Sequence, residues 1–265
     1  MRTMRDIQNQ KDWRNIEINK VGVKDISYPI TVLDKYHGVQ HTVASVNMYV
    51  DLPHHFKGTH MSRFVEILNK YRGSIAIKNF SKILNEMKVK LRAQKAHLEI
   101  EFPYFIQKRA PVTRSKSLLE YRCRFCGSSD EIVDFYMGVT VPITTVCPCS
   151  KEISRYGAHN QRGLVTAYLR FNRFIWIEDV IDLIEGCASC DVFSILKRPD
   201  EQYVTERAYE KPMFVEDVVR EVSERLMADE NITWFTVESE NFESIHNHSA
   251  YAFVERNRNG VIQPL

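Results

Sequence analysis

The stretch TTVCPCSKEISRYGAHNQRG (144–163) holds two cysteines two apart, Cys147 and Cys149, and a lone histidine, His159, ten residues after the second. Thiolate and imidazole are the usual ligands of zinc and its neighbours, and a catalytic metal site keeps one position open for water. Spacing alone leaves another reading open, in which the cysteines are small apolar side chains and the histidine lies on the surface. A second imidazole pair stands in ESIHNHSA, where His246 and His248 are two apart. Residues i and i+2 of an extended chain share a face, so this pair reads as one ligand and one acid–base group. Two solvated loop histidines are the alternative. Carboxylates are plentiful in KRPDEQYVTERAYEKPMFVED, with Asp200, Glu201, Glu206, Glu210, Glu216 and Asp217, and spacing does not select among them. Glu216 has a simple explanation in any case, because acids in a first helical turn complement the helix dipole.

The other four cysteines form two Cys-x-x-Cys pairs, Cys123 with Cys126 and Cys187 with Cys190. The pairs stand about three times farther apart than in a compact zinc ribbon, so buried free thiols are expected rather than a shared structural ion.

These side chains need elements to carry them. Alternation and apolar runs predict strands over 16–33 and 40–52, helices over 61–71 and 80–91, then strands at AHLEIEFPYFI and SLLEYRCRF. The second half repeats the order. DFYMGVTVPITTV and GLVTAYLRFNRF read as strands, and WIEDVIDLIEG as a helix closed by Gly186. A longer helix opens at Pro212 and carries Phe214, Val215, Val218, Val219, Val222 and Leu226, and two closing strands follow. Cys147 then ends one strand, His159 precedes the next, and CPCSKEISRYGAH folds back between them. The expected fold is α+β, two tandem antiparallel ββααββ units over 16–128 and 129–265 behind a polar tail at 1–15.

At 265 residues, such a chain buries enough surface to be stable without disulfide or metal staples. A formal charge of +2 marks out neither nucleic acid nor membrane as partner. The opening MRTMRDIQNQKDWRN has no apolar signal core and no apolar run approaches a bilayer span, so a cytoplasmic address is expected.

GTHMSRF (58–64), TVPITTVCPCSKEISRYGAHNQRG (140–163), LKRPDEQYVTERAYEKPMFVEDVVRE (196–221) and ESIHNHSAYA (243–252) together resemble the type IB GTP cyclohydrolase I family, in the family's order. The resemblance implies the tunnelling fold, whose ββααββ units assemble into a barrel. It also implies a homo-oligomer, expected to be a tetramer, with active sites at subunit interfaces. The implied reaction converts GTP to 7,8-dihydroneopterin triphosphate with release of formate, at the entry to tetrahydrofolate synthesis. Carried over motif by motif, Cys147, His159, Glu201 and His246 are implied as ligands of one divalent ion: zinc, manganese or iron(II). Glu216 is implied as the anchor of the guanine edge, His248 as the proton donor, and Cys149 in support beside the metal. His60, Arg63, Lys151 and Arg162 are candidates for the triphosphate. The fold relative 7-cyano-7-deazaguanine reductase is the nearest rival, but its nucleotide motif has no counterpart here. A zinc-stabilised RNA-binding module using the Cys-x-x-Cys pairs is a more distant one.

Overall fold

The computed structural model describes residue 8 and residues 10–73 and 79–258. Of the expected tail, 1–7 and 9 lie outside the described residues. The chain divides into two compact units. One comprises Met1–Pro103 with Arg124–Tyr136, the other Tyr104–Cys123 with Met137–Leu265. Three long strands, β3 (Ala96–Arg109), β4 (Lys116–Ser129) and β5 (Val133–Val146), contribute residues to both.

In the first unit β1 (Ile18–Asp34) and β2 (Gly38–Leu52) form a long antiparallel hairpin, and β2 pairs onward with β3 from Ser45↔Glu101 to Val50↔Ala96. Alternation buries Ala44, Val46, Met48 and Val50 of β2 with Ala96, Leu98, Ile100 and Phe102 of β3. The helices α1 (Met61–Lys70) and α2 (Phe80–Leu91) bury Phe64, Ile67 and Leu68, and Phe80, Ile83, Leu84, Met87 and Leu91. Their 3–4 residue spacing puts each set on one helix face, which is the physical reason these segments are helices at all.

In the second unit β5 pairs with β6 (Asn160–Phe171), β6 with β8 (Ile232–Glu243) and β8 with β9 (Ala250–Asn257), all antiparallel. A two-residue strand, β7 (Cys190–Asp191), adds to β5. Two helices carry apolar stripes: α4 (Ile177–Glu185) buries Ile177, Val180, Ile181 and Ile184, and α6 (Val215–Ala228) buries Val215, Val218, Val219, Val222 and Leu226. The α6 helix packs on β8 and β9. Two further helices, α3 (Pro148–Ile153) and α5 (Arg198–Glu210), lie where the sequence pattern shows none.

Other details differ from the sequence reading. The helix expected to open at Pro212 starts at Val215, after Phe214 as its N-cap. Gly186 follows α4 with φ −63°, so it is not needed for a left-handed turn. A Cβ there would stand 2.8 Å from Nη1 of Arg225, at the movable end of that side chain. All four Cys-x-x-Cys thiols are free and buried. Burial pushes the Cys126 and Cys187 thiols up to about 11, so these groups pack as thiols rather than react as thiolates.

One buried polar cluster fixes β3 and β4 residues to α4 within this unit. Tyr121 donates to Glu185 at 2.6 Å, and Lys108 Nζ reaches the same carboxylate at 2.8 Å and Asp191 at 3.0 Å. Tyr104 donates to Glu178, one heptad earlier on α4, at 2.6 Å.

Candidate active site

Three strand ends meet at one rim of the second unit. Val146 pairs with Asn160, and Gln161 with Glu243. Cys147, His159 and the β8–β9 turn bearing His246 and His248 therefore follow directly beyond paired rows. Close approach of β6 to β8 here requires Gly163, since a Cβ would lie 2.4 Å from Oδ1 of Asn241.

Ser150 ties the first two candidates together. Its N–H donates to Cys147 Sγ at 3.4 Å, its hydroxyl donates to the Cys147 carbonyl at 3.2 Å, and it accepts the His159 N–H at 3.2 Å. The Cys147 N–H in turn donates to the His159 carbonyl at 3.1 Å. Cys147 is the N-cap of α3, in extended conformation, and Pro148 supplies the first turn. Both site residues are half-buried, whereas Cys149 is exposed. Nδ1 of His159 lies 3.0 Å from Oε1 of Gln161, whose Nε2 donates to Thr145 Oγ1 at 2.9 Å.

The α5 helix carries Glu201, which is exposed, in its first turn. Val204 and Ala208 pack with Val146, Ala158 and Cys190, the first two of which directly precede Cys147 and His159. At 3.6 residues per turn, Glu201 shares the face of Val204 and Ala208. Glu206 falls on the other side, where it accepts from Gln202 at 2.8 Å. The start of α5 is pinned by Asp200, which is fully buried. Its carboxylate accepts the N–H groups of Lys197, Val112 and Thr113 and the Thr113 hydroxyl. Burial pushes this carboxyl up, but those hydrogen bonds outweigh burial and hold it well below the usual carboxylate range.

The start of α6 reaches the same rim, because the Met213 N–H donates to the Val146 carbonyl at 3.0 Å. Asp217 takes the capping role there, accepting the Phe214 N–H at 3.0 Å. Glu216 is exposed, and its carboxylate has no hydrogen bond or ion pair among the described residues. His246 and His248 are exposed in the turn, their rings stacked with centroids 5.0 Å apart and planes at 21°. Glu243 Oε2 lies 3.5 Å from Nε2 of His246.

Among the described residues, no three His, Cys, Asp or Glu side chains stand close enough to hold an ion. The donors share a rim without being drawn to one point. Their chemistry, one thiol, imidazoles and a carboxylate, fits a borderline divalent cation, and Ser150 already fixes two of the four. Of the triphosphate candidates, Arg63 donates to the Lys90 carbonyl at 3.0 Å. Lys151 donates to the Tyr209 carbonyl at 2.5 Å and sits over that ring. Both cations therefore secure helix ends. Ser150, Gln161, Thr145 and Glu243 escaped the sequence reading, and Asp200 was named only as one of six acids, with no role. The available signals were the i+2 spacing of Gln161 from His159 and the proline followed by two acids that opens α5.

Among solved structures the fold is that of the uricases. A uricase from Arthrobacter globiformis superposes with a TM-score of 0.54 at 8% identity, over 93% of this chain and 96% of that one. The urate oxidase of Bacillus subtilis 168 does so with a TM-score of 0.54 at 10% identity, over 91% and 100%. At that identity the likeness is one of fold alone, and it makes this a tunnelling-fold protein. The sequence carries the assignment further. Residues 4–252 match the family described as type I GTP cyclohydrolase folE2. The chain is 66% identical over 258 residues to the GTP cyclohydrolase FolE2 of Geobacter metallireducens, covering 97% of this chain and 99% of that protein. It is 64% identical over 255 residues to that of Geobacter sulfurreducens, covering 96% and 99%. The chain belongs to the type I GTP cyclohydrolase FolE2 family.

Proposed function

We propose that this chain converts GTP and water to 7,8-dihydroneopterin triphosphate and formate, the first step of tetrahydrofolate synthesis, at the rim bearing Cys147, His159, Glu201 and His246. The observation that supports the site most is the Cys147–His159 backbone bond, stapled by Ser150 and faced by the inner side of α5. In this reading those four residues hold one divalent ion, and zinc, manganese and iron(II) all suit a mixed sulfur, nitrogen and oxygen set. When bound, such an ion supplies the Lewis acidity that makes water nucleophilic near neutral pH.

The chain's own residues do the rest. Glu216 accepts two parallel N–H bonds from the amino-pyrimidinone edge of guanine, a task open to it because Asp217 has taken the cap. His248 delivers the proton that the purine ring nitrogen gains as its bond to C8 breaks. Cys149 supports from the first turn of α3, beside Cys147. A second hydrolysis frees formate, and the opened ribose closes the pterin ring. The tandem halves 16–128 and 129–265 contribute unequally, the second carrying these donors. The assembly is a tetramer in the cytoplasm, and the exposure of Glu216, His246 and His248 suits a site completed by a second copy. Among the described residues no helix is long and apolar enough to cross a membrane. The test is incubation of metal-loaded protein with GTP. Equimolar formate and a pterin that fluoresces after oxidation are expected, and their absence with every one of the three metals would refute the reading.

A further inference from the structure

Gln161 has no part in the chemistry above, yet it sits where it governs His159. It stands two residues beyond His159 at the start of β6, and only 6% of it is exposed. Both ends of its amide are used. Oε1 lies 3.0 Å from Nδ1 of His159, and Nε2 donates to Thr145 Oγ1 at 2.9 Å. Thr145 is itself fully buried on the neighbouring strand, paired with Gln161 in register, so the amide is clamped between a fixed hydroxyl and the imidazole.

A neutral imidazole carries one hydrogen, and the group it faces decides which nitrogen bears it. An amide oxygen against Nδ1 requires Nδ1–H, and that leaves the lone pair on Nε2. The reversed amide would set NH₂ against Nδ1 and move the hydrogen to Nε2, the nitrogen that must be bare to ligate an ion. We propose that Gln161, held by Thr145, is a positioning residue that fixes His159 in the Nδ1–H tautomer and so presents Nε2 as the metal-binding nitrogen. The pair supplies this orientation before any ion arrives, so the ring has no tautomer or rotation to reorganise on binding. This rests on the reading of His159 as a ligand and adds to it the nitrogen used and the residues that select it.

Two-bond nitrogen–proton correlations on ¹⁵N-histidine-labelled, metal-free full-length protein read the tautomer directly, with His159 assigned by its loss in His159→Ala. Hydrogen on Nδ1 is expected, and hydrogen on Nε2 overturns the proposal. Zinc affinity, measured by competition with a chromophoric chelator, gives the second arm. Gln161→Leu should lose the tautomer preference and bind zinc about 10–100-fold more weakly, the usual cost of removing a ligand's orienting partner. Gln161→Glu, which keeps an acceptor against Nδ1, should retain the tautomer and bind close to wild type. A Gln161→Leu protein unchanged in both tautomer and affinity also overturns the proposal. If Gln161→Leu does not fold, the wild-type tautomer still decides. Unchanged zinc affinity in His159→Ala would instead refute the ligand reading, and the tautomer measurement separates that failure from this one.

Discussion

The backbone N–H of Cys147 donates to the carbonyl of His159 at 3.1 Å, so the eleven residues between them close on themselves at the ends of β5 and β6. Two donors far apart in a flexible chain would pay heavily in entropy to meet an ion; here the fold has brought their backbones together beforehand. Cys147→Ala and His159→Ala should therefore each abolish turnover and metal retention while leaving the circular dichroism spectrum and thermal midpoint near wild type. Metal content of the purified variants checks this, and full occupancy in either one removes that residue from the ligand set.

Glu216→Gln should fail in a different way. An amide offers one acceptor and one donor where the guanine edge needs two acceptors, so GTP binding should weaken by about 2–5 kcal/mol, the range for breaking a hydrogen-bonded charge pair. Metal content should not change. Asp217→Asn is the control: its carboxylate caps α6, so it should cost stability rather than affinity. Isothermal titration with a non-hydrolysed GTP analogue distinguishes the two variants. Unchanged affinity in Glu216→Gln would move the anchoring role to another acid.

His248 stacks on His246 with ring centroids 5.0 Å apart, and the two should nonetheless separate in function. His248→Ala is expected to keep metal and GTP binding and lose roughly 10²–10⁴-fold in turnover, the usual share of a general acid or base. His246→Ala should lose the metal. Metal analysis beside single-turnover kinetics reads both. A metal-free His248→Ala protein would make His248 a ligand.

Away from the site, Lys108 and Glu185 form a buried pair at 2.8 Å, with side chains 10% and 8% exposed. Burial raises the Glu185 carboxyl above its ordinary range, and the Lys108 charge opposes that rise. Lys108→Met strips the opposition and should destabilise the protein at neutral pH by about 3–5 kcal/mol, the cost of leaving a buried charge unpaired. The sign with pH follows. A carboxyl whose folded pKa is raised favours folding while protonated and loses that contribution as pH rises through the folded value. In the variant the folded value climbs further, so its deficit against wild type should narrow as pH falls. Urea unfolding across neutral to mildly acid pH measures this, and a constant deficit would contradict it.

Much of the scaffold was legible because burial is periodic. Ile83, Leu84, Met87 and Leu91 mark α2 at the bounds it has in the structure, and alternation through Val139, Val141 and Ile143 marks β5. The α5 helix escaped because the residues it buries are Asp200 and Ala208, too thin a stripe to give an apolar period. Gly186 closes α4 as expected, though without a left-handed turn. In the site, Cys147 and His159 were visible by residue type. Ser150 and Gln161 were not, because their roles come from the register of β5 against β6 and from a turn that pairs residues nine apart.

The proposed chemistry depends on where the ion sits, and anomalous scattering from a crystal of zinc-loaded protein tests that most directly. We predict one strong peak per active site, about 2.3 Å from Cys147 Sγ and about 2.0–2.1 Å from His159 Nε2, with Glu201 and His246 completing the shell. A peak held instead by Cys123, Cys126, Cys187 or Cys190, with Cys147 and His159 bare, would contradict it.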